Sequence, residues 1–477
     1  MFFMDDDKTY YQSDNFQHLL KAYERMVKNK KSAYFECDEL MDIAEYYIRI
    51  DKLERVQDVI DYNLKLHPDE VEPLVLRTKM LINEGRYDEA KKIAYTIGDE
   101  GDVEVILLKA ELHILAGEKE KAQDMLDALT QGEDNDSSFY VDILDMLLDN
   151  ECLDMASPIL ARARALYPDD LDLWEIEGEC SHQEGRLEEA VEVYNKILDE
   201  DPYSVNAWEE LAKTYFEKEQ FKKCIECLEF ELAISDDEQY ARLLMAHCYF
   251  YLEDYSHAIS LYNDIHLRYP RSVVPLMFYG LCLSNTDKEN EALEIFKEAI
   301  KLTDKSTPEW LQIQVNTTLS YLKLGKKRTA LRHINKVLEQ ISDNADLYLL
   351  QGHIFLELKE VENAGNSFSR AMDCGNRTPE EVIFMMAVSM LESGYTSVAY
   401  LTFEKLAKYE DFDMARAYPY LAFCAWALEK KELLGYVNSS LENDSAKLFD
   451  LFGLPFDPTL DGQGFIEELH KKSAKKK

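Results

Sequence analysis

Glycine and proline are scarce, at 17 and 12 among 477 residues. A chain so poor in both has little material for long loops or flexible linkers, which argues against a string of tethered domains. Cysteine occurs 9 times, an odd count, and in no short framework spacing. That excludes a disulfide scaffold and leads us to expect a reducing, cytoplasmic setting. No run approaches the ~18 apolar residues of a membrane span. The nearest, AYPYLAFCAWAL (417–428), is short and carries Pro419. The opening MFFMDDDKTYY has neither the basic region nor the apolar region of a secretory signal. Positive charge is also short: Lys+Arg 53 against Asp+Glu 93, a net −40. Such a field repels phosphate backbones, so nucleic acid is not expected as a partner, whereas basic proteins or peptides are favoured. A merely soluble acidic surface would account for the same balance.

What the sequence does have is a period. INEGRYDEAKKIA (82–94), ILAGEKEKAQDML (114–126) and HQEGRLEEAVEVY (182–194) align on one small residue. That anchor recurs as Val56, Ala90, Ala122, Ala156, Ala190, Cys224, Ala258, Ala292, Ala330, Ala364 and Ala399, at steps of 32 to 38 residues, mostly 34. Other positions keep phase with it. Twelve residues earlier stands mostly a small side chain, such as Ala44, Ala110, Gly178, Ala212, Gly280 and Gly352. Four residues later stands a large one, such as Ile60, Leu126, Tyr194, Leu228, Phe296 and Phe368. Pro68, Pro168, Pro202 and Pro270 close several units.

This pattern resembles the tetratricopeptide repeat, W-x2-L-G-x2-Y…A-x3-F…P, and its fullest copy is Trp174, Gly178, Ala190, Tyr194 and Pro202. The resemblance covers 37–413. It implies an all-α fold, a right-handed α-α superhelix (solenoid) of about eleven repeats with helical caps. Each repeat would be two antiparallel helices joined by a tight turn, with Gly85, Gly117, Gly185, Gly325 and Gly394 left-handed at that turn. No unit can bury its apolar face alone, so neighbours stack. Two departures stand out. Pro158 falls inside a second helix and implies a kink or a late start, and TDKSTPEW (303–310) lengthens one junction.

Residues 1–36 read as an N-terminal capping helix, with Asp14 and Gln17 in capping-box spacing and an apolar stripe through Phe16, Leu19, Leu20, Tyr23, Met26 and Val27. Residues 414–443 read as a degenerate repeat or C-terminal cap, with Ala422 at the small position and Leu434 at the anchor. Residues 444–477 form a C-terminal segment whose apolar part folds back on the last helices and whose KKSAKKK ending is a solvated basic tail.

Reactive groupings compete with plainer readings. CIEC (224–227) with His247 and Cys248 offers zinc-type ligands. Cys224, however, fills the anchor slot, where a cysteine acts as a small hydrophobe, and no second C-x-x-C pair exists. The cluster Glu177, Cys180, His182 and Glu184 is likewise set by repeat geometry, with Cys180 as a packing residue. No phosphate loop, dinucleotide, nucleophile-elbow or zincin motif stands out, and repeats and caps leave too little chain for a catalytic domain. We therefore expect no enzyme, no metal and no cofactor.

The resemblance places function on the face lined by first-helix positions two, five, nine, twelve and thirteen. Mapped onto this chain, they give Asp145, Asp149, Asp172, Glu175, Glu179, His182, Glu209 and Glu217 with Lys213 among them. Phe216, Tyr240, His247, Phe250 and Tyr251 follow, and then Met277, Leu281, Val315, Leu319, Leu322, Leu349, Leu356, Phe384 and Leu391. The candidate partner-binding groove is Asp145, Glu175, Glu179, His182, Glu209, Lys213, Phe216, Tyr240, His247, Phe250 and Tyr251. Acidic beside aromatic surface suits a protein or peptide segment that is basic and apolar, steered by charge and held by aromatic anchors. The lack of a basic clamp argues against acidic chaperone tails. The alternative is a structural subunit that assembles through its apolar C-terminal half or by self-association; oligomeric state is left open. If the alignment is right, Ala190→Glu overpacks and charges a helix contact and destabilises by at least about 1–3 kcal/mol, measurable as a lowered urea midpoint.

Overall fold

The computed structural model describes residues 10–29, 31–50, 52–98, 101–130, 135–235, 239–455, 457 and 459–475, with side chains to 472. The opening segment 1–9, weighed above as a signal, and Lys476 and Lys477 of the basic ending lie outside them. Among the described residues every regular element is a helix. The chain divides into two compact units, 1–234 and 235–477. The repeat period runs through this division without marking it.

The first unit opens with the helix Asp14–Asn29, followed by antiparallel pairs that include Cys37–Arg49 with Leu53–Leu66, Ser137–Asp149 with Leu153–Leu166, Leu171–Gln183 with Leu187–Glu200, and Val205–Glu217 with Phe221–Ile234. In the second unit pairs run from Gln239–Tyr251 with Tyr255–Arg268 to Pro379–Glu392 with Thr396–Leu406, then Tyr418–Ala427 with Leu433–Asn443. Many first helices start where a polar side chain accepts an otherwise unpaired backbone N–H. Asp136, Asp170, Ser204, Thr307, Asn344 and Thr378 all do this.

The period has a steric cause. Anchors from Val56 to Ala399 are essentially inaccessible to solvent. A Cβ added at Gly178 would stand 2.6 Å from the Tyr194 ring, and one at Gly280 or Gly352 would stand 2.3 Å from Phe296 or Phe368. The small residue therefore exists to admit the large one sixteen positions on. Ala110 beside Leu126 and Ala212 beside Leu228 fill the same register with less volume on the large side, again with full burial. The inter-helix turn is equally regular. Five residues before the anchor the backbone is left-handed, at Gly85, Gly117, Gly185, Gly325 and Gly394 as expected, but also at Glu151, Glu219, Glu253, Asp287 and Lys359. The turn thus dictates the conformation even where a side chain makes it costly.

Several local expectations change. The first capping helix is capped by the Ser13 hydroxyl, which accepts from Phe16 N at 3.3 Å, not by an Asp14 box. Gln17 instead donates to the Tyr11 carbonyl at 2.8 Å. Val27 leaves the stripe, at 49% exposure. Pro158 does not delay its helix, which starts at Leu153 and carries the proline internally. The insertion near TDKSTPEW goes mainly into helix: Pro308–Lys323 has 16 residues where Leu171–Gln183 has 13.

In the terminal pair the turn at Glu429 is still left-handed. The second helix starts only at Leu433, so Leu434 is 42% exposed and Val437 takes the buried place. Ala422, Val437, Leu448, Phe449, Phe465 and Leu469 then form one buried cluster, so the C-terminal segment packs on the last pair. Its basic ending is not a solvated tail throughout. Helix Gly462–Lys475 includes its residues 471–475, and Lys472 donates to the carbonyls of Phe452 and Gly453 at the end of helix Ser445–Phe452.

The steric reading makes a paired prediction. Gly280→Ala destabilises by about 1–3 kcal/mol through overpacking against Phe296, despite the ~1 kcal/mol that alanine gains in a helix. The double variant Gly280→Ala/Phe296→Leu, which imitates Ala212 with Leu228, recovers most of the loss in urea denaturation.

Candidate functional site

In the first unit, first helices touch their successors directly: Ser137–Asp149 meets Leu171–Gln183, which meets Val205–Glu217. They form one wall, and residues spaced three or four apart on each helix share its outer side. Four of the eleven candidate groove residues fall together there. Glu175, Glu179 and Glu209 border a cavity of about 300 Å³ with Tyr194, Asn206 and Glu210. Lys213 Nζ lies 2.7 Å from both Glu209 Oε1 and Glu210 Oε1. Burial works against its charge, yet these two carboxylates hold the ammonium above its ordinary range.

Crowding of acids on this wall shows in their proton affinities. Glu175 is pushed up to about 7, first by burial and then by Asp172 and Glu210. Burial also raises Glu179, with Glu210 adding to it, and burial raises Asp145 and Asp172 in the same sense. These are carboxylates withdrawn from water without enough positive charge nearby. Asp145 stands one first helix earlier on the wall and acts on Glu179 through its charge. His182 is displaced from the cavity; its Nε2 sits 3.3 Å from Glu217 without hydrogen-bond geometry. Phe216 contacts the Phe221 ring edge-on at 5.5 Å.

The other four candidates, Tyr240, His247, Phe250 and Tyr251, belong to the second unit. Tyr240 and Tyr251 are 45% and 52% exposed. His247 is half-buried: its Nδ1 pairs with the Tyr262 hydroxyl at 2.7 Å and its ring lies 4.4 Å from Phe278. Burial pulls its pKa down to about 4. Phe250 also meets Phe278, at 5.2 Å. His247 and Phe250 therefore serve partly as packing between repeats. Leu349, Leu356 and Phe384 are buried in the stack rather than open on a groove, while Leu319 is 40% exposed.

Sequence reasoning missed Glu210, one place past the mapped position five of Glu209, and the Tyr194 hydroxyl, which comes from a second helix; Asn206 stands at mapped position two and was passed over. It also missed Glu111 and Asp142, which border a cavity of about 700 Å³ with Lys79, Glu104 and Asp149. Glu111 has the same register as Asp145 and Glu179, so that signal was present. Of the ligand-type cysteines, Cys224, Cys227 and Cys248 are buried. Burial raises the Cys180 thiol to about 11. Among the described residues no three His, Cys, Asp or Glu side chains gather as a metal would require, and no helix is long and apolar enough to cross a membrane.

Comparison with known proteins agrees with this architecture. Tetratricopeptide-repeat models match residues 81–140 and 146–205. The chain is a tetratricopeptide-repeat protein. A further model, described as anaphase-promoting complex, cyclosome, subunit 3, matches residues 183–265 of this repeat protein. Stress-induced-phosphoprotein 1 of Caenorhabditis elegans is 24% identical over 190 residues, 39% of this chain and 57% of that protein. DnaJ homolog subfamily C member 7 of Homo sapiens is 23% identical over 212 residues, 39% of this chain and 43% of that protein. The matches thus span about half the length of these curated relatives. Among solved structures, a tetratricopeptide repeat protein from Parabacteroides merdae is 22% identical, with 53% of this chain and 98% of that one covered at a TM-score of 0.42. MamA is 19% identical over 37% of this chain and 94% of its own, at a TM-score of 0.34.

The raised carboxyl of Glu175 has a stability consequence. Its native pKa lies above the unfolded carboxylate value, so the native state binds the extra proton and stability falls as pH rises from about 4.5 to about 7. Glu175→Gln removes that loss. The variant is expected to melt higher than the parent at pH 8 and equally at pH 4, by calorimetry at both pH values.

Proposed function

We propose that this repeat protein is a non-catalytic, cytoplasmic scaffold that binds a protein partner through the first-helix face. The partner contributes a basic and apolar segment. The observation that carries this reading is the wall of Asp145, Asp172, Glu175 and Glu179, all with raised proton affinity, facing one nearby lysine already engaged by Glu209 and Glu210. A wall of withdrawn carboxylates gains from a cationic ligand that replaces lost solvation. Repeat proteins use such extended faces for recognition, and the similarity to Stress-induced-phosphoprotein 1 and to the cyclosome subunit model is in keeping with an interaction role. The exposed Tyr240 and Tyr251 supply apolar area in the second unit. The alternative is a structural subunit that assembles through its apolar C-terminal half or by self-association; Leu349, Leu356 and Phe384 are buried there, whereas Leu319, Val398 and Leu401 are exposed.

The test is fluorescence anisotropy with a dye-labelled peptide of alternating leucine and arginine. Binding is expected to weaken by roughly tenfold on going from low to moderately high salt, and to vanish in a Glu175→Lys/Glu179→Lys/Glu209→Lys variant. Salt-insensitive binding, or binding retained in that variant, removes the groove reading. Light scattering of the parent chain at rising concentration tests self-association independently.

A further inference from the structure

Tyr194 differs from its counterpart elsewhere in the chain. It occupies the large position, four residues after the anchor Ala190, and is 1% exposed. Tyr262 occupies the same register after Ala258 and pairs its hydroxyl with Nδ1 of His247, itself at first-helix position nine. In the Tyr194 repeat, position nine is Glu179, and the Tyr194 hydroxyl has no hydrogen-bond partner. A buried phenol without a partner is costly unless something else satisfies it. Tyr194 lines the 300 Å³ cavity together with Glu175, Glu179, Asn206, Glu209 and Glu210, and its hydroxyl lies in the field of Glu210, Glu179 and Glu175.

We infer that this cavity is a socket for the guanidinium of an arginine side chain presented by the partner segment. The inference rests on the groove reading above and assigns its specificity. Carboxylates reach the cavity from two helices, Glu175 and Glu179 from one and Glu209 and Glu210 from the next, with the phenol on the side of the paired second helix. A planar fork with five N–H donors can serve several such acceptors at once, whereas an ammonium has three donors around a point. Among the described residues no trio of acidic, histidine or cysteine side chains gathers closely enough for a metal ion. The spread of acceptors therefore fits a wide, delocalised cation. The Tyr194 oxygen accepts one N–H, and Lys213 stays on Glu209 and Glu210 at the rim.

The socket couples binding to protons. Glu175 is held up to about 7 by burial, Asp172 and Glu210, with Asn206 acting in the opposite direction. The charged or titratable groups around it are Asp172 and Glu179 on its own helix, Tyr194 on the paired second helix, Asp201 and Tyr203 in the following turn, and Glu209, Glu210 and Lys213 on the next first helix. A guanidinium requires the carboxylate, so it displaces the proton, and affinity rises as pH climbs through about 7.

The experiment compares the leucine–arginine peptide with one in which citrulline, neutral and of the same shape, replaces arginine, and with a lysine version. The parent chain is expected to bind the arginine peptide at least tenfold tighter than the citrulline one at pH 8, with lysine between them. The preference should shrink severalfold at pH 6. Glu175→Gln/Glu210→Gln is expected to reduce arginine binding to the citrulline level, Tyr194→Phe to cut the arginine preference about threefold, and Glu175→Gln alone to abolish its pH dependence. Glu210→Gln leaves Lys213 its partner Glu209, and circular dichroism checks that the variant folds. If the arginine peptide binds Glu175→Gln/Glu210→Gln as it binds the parent, the socket falls while the groove survives. If arginine and citrulline peptides bind alike, the socket falls. If no peptide binds, both fall.

Discussion

The contact between a missing side chain and an aromatic ring holds the repeats in register. Where Gly178 faces Tyr194 and Gly280 faces Phe296, the paired helices approach so closely that a single added carbon would overlap the ring. The anchor alanine, the turn and the start of the second helix all follow from keeping that approach. Each repeat then offers its neighbour an apolar flank that only stacking can cover. The terminal pair shows what loosening the rule does: with Leu434 in place of a small anchor, the second helix starts late and the leucine is turned outward.

The same rule explains how much could be read from residues alone. Spacing from Val56 to Ala399 needed no structure to reveal helix pairs, because packing volume is written directly into side-chain size. The left-handed turns were legible at Gly185 and its fellow glycines but not at Glu151 or Lys359, where composition gives no hint and only register does. The site was legible in part. Glu175, Glu179 and Glu209 were found by repeat register, since they project from equivalent turns. Glu210 was missed because it stands one place past the mapped position of Glu209, and the Tyr194 hydroxyl because it comes from a second helix, which first-helix register does not cover. Leu349 and Phe384 were misplaced for the complementary reason: their register points to the first-helix face, but local packing closes over them.

Charge and packing meet at Tyr194. Its ring is half of the contact that closes the helix pair, while the residue also borders the acidic cavity. The residue that specifies the fold is thereby the one that furnishes the wall with a neutral acceptor among carboxylates. Glu175 and Glu179 beside it are withdrawn enough from water to hold their protons more tightly, and that state answers readily to an incoming cation.

The left-handed turn residues carry one more implication. Glu151, Glu219, Glu253, Asp287, Lys359 and Glu429 each hold a conformation that glycine would adopt freely, at roughly 1–2 kcal/mol apiece. The chain therefore retains untapped reserve at these positions, which occur in both compact units. A lineage or an engineer could draw on that reserve to absorb disruptive changes on the recognition face without rebuilding the stack.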